Sequence, residues 1–120
     1  MFVSFVVPTF SKEFSIHKIY NTLKSRNIKV SKKTLYKYSD ALEDSLFCFF
    51  LKKFSFSERE SLLSMPKVYI NDSGLVNYTI STKFEEDIGR LMENAVFLEL
   101  KRKEYERELS GLFYWKDSLS

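Results

Sequence analysis

The sequence predicts an α+β fold: a winged helix-turn-helix of two or three helices plus a β-hairpin, followed by a long helix and a terminal strand. Three observations carry this reading. Two segments of helical period with capping residues, 15–27 and 31–45, are joined by a short link. The period then drops to two, between turn residues. A third helical pattern spans about residues 84–108 and runs into Gly111-Leu112-Phe113-Tyr114-Trp115, the expected terminal strand.

Met1 to Val7 is apolar but short, and is expected to pack on the body as an extended or helical piece. Ser15 suits an N-cap, and Ile16, Ile19, Tyr20 and Leu23 follow at the spacing of one helical face. Lys24 and Arg26 complement the helix dipole in the last turn, and Asn27 suits a left-handed C-cap. Ile28-Lys29-Val30 links to Ser31, the N-cap of a second helix over about Lys32 to Ser45. Leu35, Tyr38 and Leu42 share one side of it; Lys33, Tyr36, Lys37 and Asp40 share the other. Leu46 to Leu51 is an apolar run that suits a buried strand or an extension of the helix, Phe54-Ser55-Phe56-Ser57 reads as an alternating strand, and Lys67 to Asn71 as a third, entered through the turn Ser64-Met65-Pro66. Strands flanking a loop after two capped helices are what a wing requires. Asp72-Ser73-Gly74 closes the unit as a turn, and residues 75–83 are a mixed connection.

Ser81 or Thr82 is placed to cap the long helix, with Ile88, Leu91, Ala95 and Leu98 on its packed face, widened by Met92, Val96 and Leu100. Gly89 costs roughly 1 kcal/mol relative to Ala inside a helix, so it is expected to mark a close packing contact. Glu86 to Arg90 and Glu99 to Lys103 have the favourable i,i+4 order, and Lys101 to Glu108 reads as a solvated helix end. The expected division is a winged-helix domain over residues 1–80 and a long helix and strand over 81–120.

At 44% hydrophobic and 17% aromatic, the chain has enough apolar material for a core, which excludes wholesale disorder. A net charge of +3 requires any nucleic-acid contact to come from a local basic face. Cys48 is the single cysteine, so no internal disulfide forms, and a reducing, cytoplasmic setting is expected. Between Phe47 and Phe49 it reads as a small buried hydrophobe. His17, the single histidine, has no Cys or His partner for a zinc site and no acid or nucleophile placed for a triad. Three scattered glycines make no phosphate-cradling loop, and no run approaches the roughly 20 apolar residues of a membrane helix. No enzyme activity, cofactor, metal or membrane association is expected.

Three stretches carry a resemblance. They are Val30-Ser31-Lys32-Lys33-Thr34-Leu35-Tyr36 with Leu42-Glu43-Asp44; Lys53 to Ser57 leading to Pro66 through Leu75; and Gly89-Arg90-Leu91-Met92-Glu93-Asn94-Ala95-Val96-Phe97-Leu98-Glu99-Leu100-Lys101-Arg102. Together they resemble the C-terminal region of archaeal and bacterial AAA-type ATPases that carry a domain of unknown function after the ATPase module. The resemblance implies a winged helix followed by the start of a nuclease-like domain, whose acidic helix residue falls on Glu93. The ATPase module and the strand bearing the nuclease-like Asp have no counterpart here, so the chain reads as a fragment to which neither activity carries over.

Two functions follow as expectations. In the first, the second helix enters a major groove of double-stranded DNA, with Ser31, Lys32, Lys33, Thr34, Tyr36 and Lys37 on phosphates and base edges and Lys52 and Lys53 on the backbone beside the wing. In the second, the module docks a protein partner or self-associates as a homo-oligomer without touching DNA.

Overall fold

The computed structural model describes residues 2–78, 84–106 and 111–115. Among these, six α-helices and one antiparallel strand pair make an α+β fold, as the sequence predicts. The helices are α1 (Phe2–Val6), α2 (Ile16–Ser25), α3 (Lys32–Asp44), α4 (Glu58–Leu63), α5 (Ser73–Tyr78) and α6 (Phe84–Tyr105); the strands are β1 (Cys48–Leu51) and β2 (Lys67–Ile70). A 3-10 turn, Val7–Thr9, continues α1, with Pro8 in its first turn where a missing N–H breaks no bond.

Local chemistry sets the ends of α2 and α3. Ser15 Oγ accepts from the Lys18 N–H at 3.2 Å, and Ser31 Oγ from the Thr34 N–H at 3.1 Å, so both caps form as expected. Asn27 is left-handed at φ 59°; its N–H bonds to Lys24 O and the Ile28 N–H to Leu23 O, which is a Schellman closure. The end of α3 repeats it, with Leu46 at φ 63°, Leu46 N–H on Glu43 O and Phe47 N–H on Leu42 O.

The hairpin pairs Cys48 with Ile70, Phe49 with Tyr69, Phe50 with Val68 and Leu51 with Lys67. The other edge of β2 is also occupied. Ser11 N–H bonds to Val68 O, Val68 N–H to Lys12 O and Phe14 N–H to Pro66 O, and Glu13 bridges Lys67. Strand alternation separates two cores. Cys48, Val68 and Ile70 join Phe10, Phe14, Ile16, Ile19, Leu23 and Leu35 on one face. Phe49 and Tyr69 meet Phe97 of α6 on the other, where the Tyr69 and Phe97 rings stack at 4.1 Å. Burial pushes the Cys48 thiol up to about 12, with Glu43 adding to the shift, so it stays protonated and behaves as a core residue.

Several expectations are corrected. Residues 54–57 do not form a strand. Ser57 Oγ accepts from the Glu60 N–H and starts α4, so the alternation of Phe54 and Phe56 marks an entry loop rather than a pleat. Ser57-x-x-Glu60 is a capping-box pattern, the signal that competes with the period of two. The strand pair is therefore β1, a loop holding α4, and β2. Asp72-Ser73-Gly74 starts α5 rather than a turn, because Asp72 Oδ1 accepts from the Gly74 N–H at 2.8 Å. The expected caps Ser81 and Thr82 lie outside the described residues. Gly111 to Trp115 makes a single parallel bridge, Tyr114 to Lys53, with Phe54 N–H on Tyr114 O and Tyr114 N–H on Lys52 O.

The largest correction concerns α6. Its buried line is Asp87, Asn94 and Phe97, with Arg90, Leu91 and Leu98 half-buried beside it. Ile88, Met92, Ala95, Val96 and Leu100, expected to pack, are exposed. A Cβ at Gly89 would meet nothing within 4 Å, so this glycine marks open space and not a close contact. Arg90 pairs with Asp87 at 3.6 Å, and the Glu86 side chain lies outside the described residues. Glu99 pairs with Arg102 rather than Lys103, and Arg102 also reaches Glu106. Among the described residues, no helix is long and apolar enough to cross a membrane.

Candidate nucleic-acid interface

The first two turns of α3 follow α2 and the turn at Asn27. Leu35 and Ser39 face inward, and Lys32, Lys33, Tyr36 and Lys37 are exposed. Ser31 and Thr34 are partly committed to each other: their hydroxyls lie 3.0 Å apart while Ser31 caps the helix. Only one of the two hydroxyl protons is used between them, so the other can be donated to a phosphate oxygen. Lys32 Nζ lies 5.3 Å from the centre of the Tyr20 ring, which holds this ammonium against α2. On the outer face of α3, Lys33 and Lys37 are followed by Asp40 and Asp44, so the basic surface ends after the second turn.

The expected site residues divide into three groups. Ser31, Lys32, Lys33, Thr34 and Lys37 lie together on the N-terminal half of α3. Tyr36 and Lys52 line a separate cleft of about 420 Å³ between α3, β1 and the loop before β2, floored by Phe14, Phe50 and Met65. Lys53 sits at the bridge to Tyr114 and joins neither group.

Beside Ser31 a shallow groove of about 610 Å³ is lined by Tyr20, Lys24, Asn27, Ile28, Lys29 and Val30. Lys24 and Lys29 extend the basic face and were not among the expected site residues. A simple count would have found them. Residues 14–39 hold Lys18, Lys24, Arg26, Lys29, Lys32, Lys33 and Lys37 and not one Asp or Glu, in a chain whose net charge is only +3. All seven are exposed, and none joins an ion pair among the described residues.

Glu93, the position singled out by resemblance, has a different setting. Its Oε2 accepts from Tyr69 OH at 2.8 Å and from Lys67 Nζ at 3.3 Å. The Tyr69 hydroxyl is driven above the ordinary tyrosine range by burial and by this bond. Lys67 Nζ also faces the Tyr114 ring at 5.5 Å. Arg90, of the same string, donates to Phe10 O and Pro8 O and lies over the Phe10 ring, and Asn94 bonds to Ile70. The string Gly89 to Arg102 thus joins α6 to the N-terminal turn and to β2. Among the described residues, no group of three or more His, Cys, Asp or Glu is arranged to hold a metal.

Comparison with known proteins adds the following. The chain is 38% identical over 111 residues to an uncharacterized protein of Methanocaldococcus jannaschii, covering 92% of this chain and 24% of that protein. It is 35% identical over 95 residues to an uncharacterized protein of Haemophilus influenzae, covering 79% of this chain and 24% of that one. The chain thus spans about a quarter of the length of these curated relatives. No solved structure matches it. A family model described as a domain of unknown function, DUF8612, matches residues 1–86, from the N-terminal helix to the first turn of α6. The chain therefore belongs to the DUF8612 family.

Proposed function

We propose that this chain is a non-enzymatic winged-helix module that binds double-stranded DNA through the N-terminal half of α3. The observation that carries the reading is the run of seven exposed basic residues and no acid over residues 14–39, which spans α2, the turn after it and the first two turns of α3. The element order supports the winged-helix part: α2, a short turn closed at Asn27, α3, then β1 and β2, with Glu13 bridging the outer edge of β2 as a third strand position. On this reading Lys33 and Lys37 meet phosphates, Ser31 and Thr34 bond backbone oxygens near the helix N-terminus, and Lys24 and Lys29 take the flanking strand. Lys52 reaches the backbone beside the wing. Such contacts release counterions, so affinity must fall with salt. The test is titration of random duplex DNA at several salt concentrations. Binding with a log-log slope of several units supports the reading; no binding at low salt overturns it.

The same reading sets the module in a longer, cytoplasmic polypeptide carrying an AAA-type ATPase. The string from Gly89 to Arg102 and the greater length of the relatives support that setting.

A second reading, protein docking without DNA, is favoured by one feature. Phe54, Phe56, Phe113 and Trp115 form an exposed aromatic cluster, with Phe54 stacked on Trp115 at 5.5 Å and 27°. Such a cluster is more typical of a protein contact than of a solvated surface.

A further inference from the structure

We infer that α3, bound to duplex DNA as proposed, takes any base sequence: its side chains meet phosphates and none reads a base. This selectivity rests on the DNA contact itself. Direct readout of a base pair needs a side chain that meets two groups of one base edge in a fixed geometry, which the Arg fork and the Asn or Gln amide supply. The helix from Lys32 to Asp44 contains no Arg, Asn or Gln. The nearest, Arg26 and Asn27, are the C-cap of α2 and the left-handed turn residue, beside the helix and not on it.

The polar side chains at the start of α3 each lack that geometry. Lys32 Nζ lies 5.3 Å from the centre of the Tyr20 ring and is drawn back toward α2. Ser31 and Thr34 share a hydrogen bond between their hydroxyls, and Ser31 also caps the helix, which leaves one rotating proton and no fixed pair of groups. Lys33 and Lys37 are exposed and end in ammonium groups on flexible stems, point charges that meet any phosphate equally. Tyr36, 57% exposed, carries a single hydroxyl that donates or accepts with any partner. Asp40 and Asp44 follow on the outer face, and phosphates repel them, so the contact stops short of the third turn. Affinity then comes from the seven basic residues over 14–39 and the counterions they displace, which are the same for every sequence.

Competition between fluorescent duplexes of equal length and unrelated sequence, at one low salt concentration, tests this with the 120-residue chain. Their affinities should agree within about threefold and their log-log salt slopes should coincide, since counterion release depends on phosphates alone. One base-reading contact, a lysine on guanine included, would spread the affinities by about five- to 150-fold. Selection from a random duplex library should enrich no base pattern. Lys33→Arg combined with Lys37→Arg keeps both charges and should keep the affinity for every duplex within about threefold. A preference of about tenfold or more, an enriched motif, or an Arg pair that reorders the duplexes overturns the inference and leaves the DNA contact standing. No binding to any duplex at low salt removes the DNA contact itself, and the inference with it.

Discussion

The carboxamide of Asn94 meets both backbone groups of Ile70: its Oδ1 accepts from the Ile70 N–H and its Nδ2 donates to the Ile70 carbonyl, each at 2.9 Å. The side chain, 3% exposed, stands in for one residue of a neighbouring strand at the end of β2 where the 11–14 segment no longer reaches. A helix thereby docks on a strand edge through a hydrogen-bond pair rather than through apolar contact alone.

Asn94→Leu should cost about 3 kcal/mol, because two buried bonds are lost and both Ile70 groups are left without a partner. Chemical denaturation measures this. Asn94→Asp should be destabilising at neutral pH and partly recover in acid, where a protonated carboxyl again offers one donor and one acceptor. Equal stability of Asn94→Leu and wild type would show that Ile70 finds another partner.

Leu46 occupies the left-handed position that ends α3, at φ 63°. Leu46→Gly removes the Cβ penalty there and should raise stability by about 0.5–1 kcal/mol. Asn27→Ala, at the matching position after α2, should lower it by about 1 kcal/mol. Thermal melts of the two variants should shift in opposite directions.

The double change of Lys33 and Lys37 to Ala removes two phosphate contacts and should flatten the log-log salt slope of duplex binding by roughly 1.8 units. Its melting temperature should stay close to wild type, since both side chains are exposed and outside any ion pair among the described residues. Leu35→Ala should instead cost about 2–5 kcal/mol of stability, because that side chain is fully buried. An unchanged slope in a folded double variant would move the contact away from α3.

The Cys48 thiol, raised from 9.0 to about 12, holds its proton more tightly in the folded chain than in the unfolded one. Its contribution to stability is complete below about pH 9 and falls away between 9 and 12 as the unfolded thiol ionises first. Tyr69, also raised, adds a loss above its unfolded value of 10. Denaturation midpoints should therefore drop at alkaline pH, and less steeply for Cys48→Ala. Thiol labelling of the native chain near pH 8 should be far slower than after unfolding.

With magnesium and either ATP or duplex DNA, the chain should give no turnover above a Glu93→Ala control. The Glu93 carboxylate is engaged by Lys67 and Tyr69, and that role predicts a change in stability on substitution instead.

What the sequence determined by itself is local. Ser15, Ser31 and Asn27 set the limits of α2 and α3 because a cap needs only a hydroxyl or a left-handed residue within one turn of the helix. The runs Leu46 to Leu51 and Lys67 to Asn71 were legible as strand candidates, though the first could equally have extended α3, and pairing selected Cys48 to Leu51 and Lys67 to Ile70 within them. The basic first turns of α3 were visible, whereas Lys24 and Lys29 join them only because the Asn27 turn folds the end of α2 against Ser31. The face that α6 buries was decided by the tertiary structure alone. Periodicity marks where apolar residues lie, but the surface waiting for α6 offered the carbonyls of Pro8 and Phe10, both backbone groups of Ile70 and the hydroxyl of Tyr69. Unpaired, the buried Ile70 groups would cost about 1–3 kcal/mol each, so Asn94 turned inward with Arg90 and Glu93 beside it, and the line of Ile88, Met92 and Val96 was left facing out.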